Sequence, residues 1–189
     1  MPAVILHQEV PVAGVIWSIG QGRRGLPQLI APLQAREIRF LLDVRSAPWS
    51  GVKPEFSREP LAAHLRGTGL RYLYLGDTLG GRPSDPSCYV GGRVDYAITA
   101  ATPRFQRGLA RLVSAWEQGH QVCLFCSEGD PERCHRSKLI GVALAELGVE
   151  VQHIGADDSV RTQSQVMQSL SGGQLPLLSL PLRSTGSYR

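Results

Sequence analysis

The chain has 189 residues, 42% of them hydrophobic and 19% charged, which is enough for one well-buried core. Twenty basic against 16 acidic residues give a net charge of +4, a bias that suits an anionic ligand and excludes a surface built to coat nucleic acid. Four cysteines follow a start with no charged-then-apolar secretion signal, and no apolar run approaches the ~20 residues of a bilayer span, so disulfides and membrane association are not expected and a reducing cytoplasm is.

Residues 1–13 carry no core-like pattern and read as an N-terminal extension. Val15 to Ile19 reads as a short buried strand stopped by Gly20-Gln21-Gly22, after which Leu26, Leu29, Ile30 and Leu33 recur at helical spacing. Ile38 to Val44 is the next apolar run and ends in a carboxylate, Asp43. Arg45-Ser46-Ala47-Pro48 breaks it before a helix over about Glu59 to Arg66. Leu70 to Leu75 is a third strand by its aromatic and aliphatic content, followed by a glycine-rich loop to about Asp95. Thr102-Pro103 caps an amphipathic helix whose apolar face is Phe105, Leu109, Leu112, Val113 and Trp116, and Gly119 ends it. Gln121 to Cys126 is a fourth strand. Asp130-Pro131 opens a helix running to Leu147-Gly148, and Val149 to Ile154 makes a fifth strand.

This alternation predicts a single α/β domain over residues 14–155, with a mostly parallel, five-stranded, Rossmann-like twisted sheet and helices on both faces. From residue 156 to 189 Ser, Gln, Gly and Pro dominate. Ser164 to Leu170 can form one more helix, and the rest reads as an extended arm able to cover this subunit or a second copy.

In a parallel sheet all carboxyl ends gather at one edge. The polar residues placed there are Gly20, Gln21, Arg23 and Arg24 after the first strand, Asp43 and Arg45 after the second, Gly80, Gly81 and Arg82 after the third, and Cys126 and Glu128 after the fourth. Cys134, His135 and Arg136 join them at the start of the last helix, whose amides favour an anion or thiolate.

Four segments, SIGQGRRGLPQLIAPL, LLDVRSAPWS with the later Phe56-Ser57-Arg58, RYLYLGDTLGGRP, and FCSEGDPERCHRSKLI closed by VEVQHIG, resemble the successive motifs of the "domain of unknown function 488" family of bacteria and archaea. The resemblance runs from about Trp17 to Gly155. It implies an α/β fold and a shared polar site at Asp43, Arg45, Gly80, Gly81, Cys126, Glu128, Cys134, His135 and Arg136, and it implies no activity.

Several chemistries compete at this edge. A metal site would draw on Cys126, Cys134 and His135 if the loop curls back. Cys123 is excluded by strand parity, and adjacent Cys-His on a helix should diverge, so no metal and no other cofactor is expected. A thiol-phosphatase loop is disfavoured because Cys126 and Arg133 enclose six residues, one too many, and the loop carries Glu128, Asp130 and Glu132. A carboxylate-centred site fits better. Arg45, Arg136, Arg82 and the Gly20 to Arg24 turn would hold a phosphate, while Asp43 or Glu128 acts as nucleophile or base and His135 as acid. The same pairs, Asp43 with Arg45 and Glu128 with Arg136, serve equally as internal locks. Cys134 and Cys126 form a candidate redox pair, or simply buried thiols. His153 is expected to satisfy a buried hydrogen bond, and Trp49, Tyr89 and Tyr96 to stack on a base.

The leading expectation is an enzyme of glycosyl-transfer or hydrolytic type acting on a small anionic, nucleotide-like ligand or a nucleic-acid end. A non-catalytic anion-binding or regulatory module is the alternative, and a thiol redox or metal-binding protein the next.

Overall fold

A computed structural model describes residues 14–171 and 182–188. The strands are β1 (Ile16–Gly20), β2 (Phe40–Asp43), β3 (Arg71–Tyr74), β4 (Tyr89–Val90), β5 (Arg93–Val94), β6 (Val122–Cys126), β7 (Val151–Ile154) and β8 (Val160–Thr162). The α-helices are α1 (Leu26–Gln34), α2 (Arg58–Leu65), α3 (Gly76–Leu79), α4 (Tyr96–Ala100), α5 (Pro103–Glu117), α6 (Val142–Glu146) and α7 (Gln163–Leu170). The main sheet has six strands in the order β3-β2-β6-β1-β7-β8, all parallel except β8, which runs antiparallel to β7.

The α/β class is as expected; the strand number is not. The additional strand, β8, lies beyond residue 155, where the sequence reads as an arm. Three polar-leaning residues at a sheet edge carry no period-2 signal, so only pairing with β7 reveals them. The sheet therefore continues past the expected domain end. Thr162 then caps α7 in a reciprocal capping box with Gln165, and Val166 and Met167 bury against the domain.

Strands β1, β2, β6 and β7 divide their side chains between two apolar layers. Ile19, Leu41, Cys123, Phe125 and Ile154 pack with Leu29, Leu33, Leu61 and Leu65 of α1 and α2. Ile16, Leu42, Leu124 and Cys126 pack on the other face with Leu79, Phe105, Leu109, Leu112 and Leu144 of α3, α5 and α6. Cys123 and Cys126 thus face opposite layers, as strand parity requires. Trp17, Tyr72, Tyr74 and Trp116, core residues by periodicity, are only half-buried.

β1 and β6 are neighbours, yet β1 leads through α1 on one face and β6 through α6 on the other. Helices that diverge from adjacent parallel strands leave a crevice at the carboxyl ends, the place where such sheets bind ligands. Gly20 and Cys126 are register partners at that point.

The expected single helix from Pro131 to Leu147 is divided. A 3-10 turn covers Pro131–Arg133, Cys134 is extended (φ −109°, ψ 150°), and a π-helical turn at Arg136–Gly141 leads into α6. Wide turns of this kind recur at functional sites. Residues 182–188 pack on the chain itself: Leu182 accepts from the Tyr96 N–H, Ser184 donates to Val94 and Tyr188 to Gly92. The expected N-terminal extension, residues 1–13, and residues 172–181 and 189 of the expected arm lie outside the described residues.

Candidate functional site

A cavity of about 730 Å³ opens at the crevice. It is walled by the β6 end and following loop (Cys126 to Gly129), by Cys134 and His135, by Arg45 to Ala47 with Trp49, by Gly81 and Arg82, and by Thr185, Gly186 and Tyr188. The sequence reading missed the last three. Nothing in a tail dominated by Ser, Gln, Gly and Pro signals that it folds back over a site far away in the chain.

Cys126, Cys134 and His135 converge, with their ligand-capable atoms all within 4.8 Å of one another. His135 Nδ1 lies 3.9 Å from Cys126 Sγ and 3.7 Å from Cys134 Sγ. The expectation that adjacent Cys-His diverge fails because neither residue sits inside a regular helix: the extended Cys134 followed by helical His135 turns both side chains inward. His135 Nε2 is 3.0 Å from the Val44 carbonyl oxygen. A carbonyl only accepts, so Nε2 carries the proton and Nδ1 presents a lone pair to the two sulfurs. Burial alone would disfavour the Cys134 thiolate, but the hydrogen bond with Cys126 and the charge of Arg136 outweigh it and hold this thiol well below its usual range. The shared hydrogen bond and burial push Cys126 the other way, well above it.

Asp43 and Arg45 form an internal lock. Arg45 donates Nε to Oδ1 (2.9 Å) and Nη2 to Oδ2 (2.6 Å), and Tyr72 donates its hydroxyl to Oδ2 (2.6 Å). Arg45 also donates to the Phe56 carbonyl (2.9 Å), and its guanidinium lies 4.8 Å from the Phe125 ring centroid. Asp43 is fully buried and absent from the cavity wall. Both oxygens of Asp43, expected as a catalytic carboxylate, are thus engaged within the protein, and Arg45 reaches the wall with its charge already paired.

Arg136, expected to bind the ligand, is engaged internally as well and does not line the cavity. It is 0% exposed and donates to Ser18 Oγ (2.7 Å), the Glu128 carbonyl (2.7 Å) and Cys134 Sγ (3.3 Å). It braces the Cys126 to Gly129 loop from behind. Ser18 passes the network on: its hydroxyl, accepting from Arg136, lies 2.9 Å from His153 Nδ1, and His153 Nε2 lies 2.8 Å from Gln163 Oε1. His153 is thus the buried hydrogen-bonding residue expected of it, in a chain of contacts that no local pattern discloses.

Of the remaining expected residues, Gly20 lets the loop approach: a Cβ there would strike the Glu128 carbonyl and Gly129. Arg24 is buried and ties Gly20 to the β7 end through the Gly155 carbonyl and Asp158. Arg23 is exposed and off the cavity wall. The Gly20 to Arg24 turn meets the cavity wall at Gly22, and its buried cation, Arg24, is already bonded within the protein. Gly80 packs on Ser46, while Gly81 lies against His135, where a Cβ would come 2.7 Å from the ring. Arg82 lines the cavity with its guanidinium 4.2 Å from the Tyr188 ring centroid.

Glu128 is half-buried on the wall, Oε1 accepting the Asp130 N–H at 3.2 Å. Trp49, 76% exposed, and Tyr96 reach the cavity as expected of stacking candidates, whereas Tyr89 donates to the Pro83 carbonyl and does not. Arg133 was missed as a cation of the wall.

Fold and site together define a doubly wound α/β protein with a polar, thiol- and imidazole-bearing pocket at its topological switch point. The chain belongs to the family described as "Domain of unknown function DUF488", whose pattern matches residues 25–143. No curated protein and no solved structure matches it. Among the described residues no helix is long and apolar enough to cross a membrane.

Proposed function

We propose that the protein binds and processes a small phosphorylated, nucleotide-like ligand, free or at a nucleic-acid end, in the cavity at the carboxyl edge of its sheet. The observation that carries this reading is the composition of one wall system. Arg82 and Arg133 supply cations, Glu128 a carboxylate, and Trp49 a widely exposed aromatic face, around a space of about 730 Å³. That volume lies in the range of small-molecule sites. Guanidinium matches phosphate oxygens, a carboxylate accepts from sugar hydroxyls, and an exposed indole stacks on any base. With Asp43 engaged by Arg45, Glu128 is the carboxylate available as nucleophile or general base, for glycosyl transfer or hydrolysis. A reducing cytoplasm suits the free thiols in the same wall.

Calorimetry with nucleoside mono- and diphosphates and inorganic phosphate, followed by product analysis, tests the reading. At least one nucleotide should bind, and Arg82→Ala and Glu128→Gln should each weaken it by about tenfold or more. No binding across the panel, or binding indifferent to both changes, overturns it. The engagement of Asp43, Arg45 and Arg136 inside the protein favours a second reading, a module that holds the ligand without turnover. Tight binding with no product formed would select it.

A further inference from the structure

His135 is arranged as metal-binding histidines are. Its protonated Nε2 is anchored 3.0 Å from a backbone carbonyl, which fixes the ring and aims the Nδ1 lone pair at two sulfurs. In a tetrahedral Cys2His site, bonds of about 2.3 Å to sulfur and about 2.0 Å to nitrogen place S and N about 3.5 Å apart. The observed separations are 3.9 and 3.7 Å. A cation therefore fits with shifts of a few tenths of an ångström between nitrogen and sulfur, and of at most about 1 Å between the two sulfurs, which lie within 4.8 Å of each other and need about 3.8 Å. Imidazole and thiolate together select a borderline-soft ion over calcium or magnesium.

We propose that Cys126, Cys134 and His135 bind one divalent cation of the zinc class, with the fourth coordination position open to the cavity. All three residues line that cavity while remaining at most 7% exposed, so the open position is the one facing it. Both sulfurs bind as thiolates, with any thiol proton still present passing to solvent; each sulfur then donates a lone pair, the imidazole binds neutral, and no electron is transferred. Arg136 donates Nε to Cys134 Sγ at 3.3 Å and orients that ligand from behind. Two thiolates cancel the cation's charge, and Arg136 leaves the cluster with a net positive charge, which favours hydroxide or an anionic oxygen at the fourth position. The site does not rest on the nucleotide reading, because metal binding is measured with no nucleotide present.

The full chain, purified without metal-affinity resin and stripped with chelator under reductant, is titrated with Zn2+ against a chromophoric chelator and, separately, with Co2+ followed by absorption. One equivalent should bind, and Co2+ should give thiolate charge-transfer bands with the d–d pattern of tetrahedral coordination. Cys126→Ser and Cys134→Ser should each weaken Zn2+ binding by more than about a hundredfold, beyond what loss of a supporting contact produces. Cys123→Ala, on the opposite face of the sheet, should not. The Co2+ spectrum of the unmutated chain needs no variant to fold. Its lack of a thiolate band, full binding by the Cys126→Ser/Cys134→Ser double variant, or a Cys126–Cys134 disulfide in reduced protein overturns the site.

Discussion

Protonation of His153 should destabilise this protein as the pH falls below neutrality. His153 is buried, its Nδ1 accepting from Ser18 and its Nε2 donating to Gln163. Burial, opposed by the Gln163 hydrogen bond and reinforced by the charges of Arg136 and Arg161, with Cys134 acting the other way, pushes its pKa from 6.5 down to about 4. The unfolded chain therefore binds a proton that the folded chain refuses. Stability is complete above the unfolded value and is lost as pH falls through 6.5 towards 4. At about 1.4 kcal/mol per unit, the whole displacement corresponds to about 3 kcal/mol, a large share of the ~5–15 kcal/mol that holds a domain together. Protonation would also put a second cation beside the Ser18 hydroxyl that already accepts from Arg136. Urea unfolding of the wild type and of His153→Gln at pH 7.5 and 4.5 isolates this contribution, since all other titrating groups are common to both. The wild type should lose about 2–3 kcal/mol more than the variant over that interval. Equal losses would refute the reasoning.

Three further outcomes follow from the site's internal locks. Asp43→Asn strips Arg45 of its counter-charge in a buried pair and should destabilise by about 3–5 kcal/mol in denaturant unfolding; a loss under about 1 kcal/mol contradicts a structural role. Arg136→Lys cannot reach Ser18, Glu128 and Cys134 together, and should cost at least about 2 kcal/mol of stability by the same assay. Gly81→Ala drives a Cβ to within 2.7 Å of the His135 ring, so an overpacking loss of about 1–3 kcal/mol is expected, with weaker Zn2+ binding as the ring turns; unchanged affinity would show that the ring is not confined there.

The strands were readable because each parallel strand is a short, largely apolar run ended by glycine or a polar residue, and α5 because its stripe is amphipathic and Thr102 caps it, accepting the Phe105 N–H at 3.2 Å. β8 was not, being three residues of mixed polarity at an edge. The Pro131 to Leu147 segment looked like one helix because its composition suits one throughout. Only in the fold do the 3-10 and π turns appear, and that irregularity is what brings Cys134 and His135 to Cys126.

By itself the sequence determined the α/β class, the family, and the set of chemically capable residues at the strand ends, because strand parity and the common direction of parallel strands are local rules extended along the chain. The tertiary structure decided which of those residues are free to act. Asp43 and Arg136 share the same edge as Glu128, yet they are engaged by Arg45 and Tyr72 and by Ser18, Cys134 and the loop carbonyl. Such engagement depends on side chains far apart in sequence. The spacing of cysteine and histidine names possible ligands, but a distance of 3.7 Å and a fixed tautomer exist only once the chain has folded.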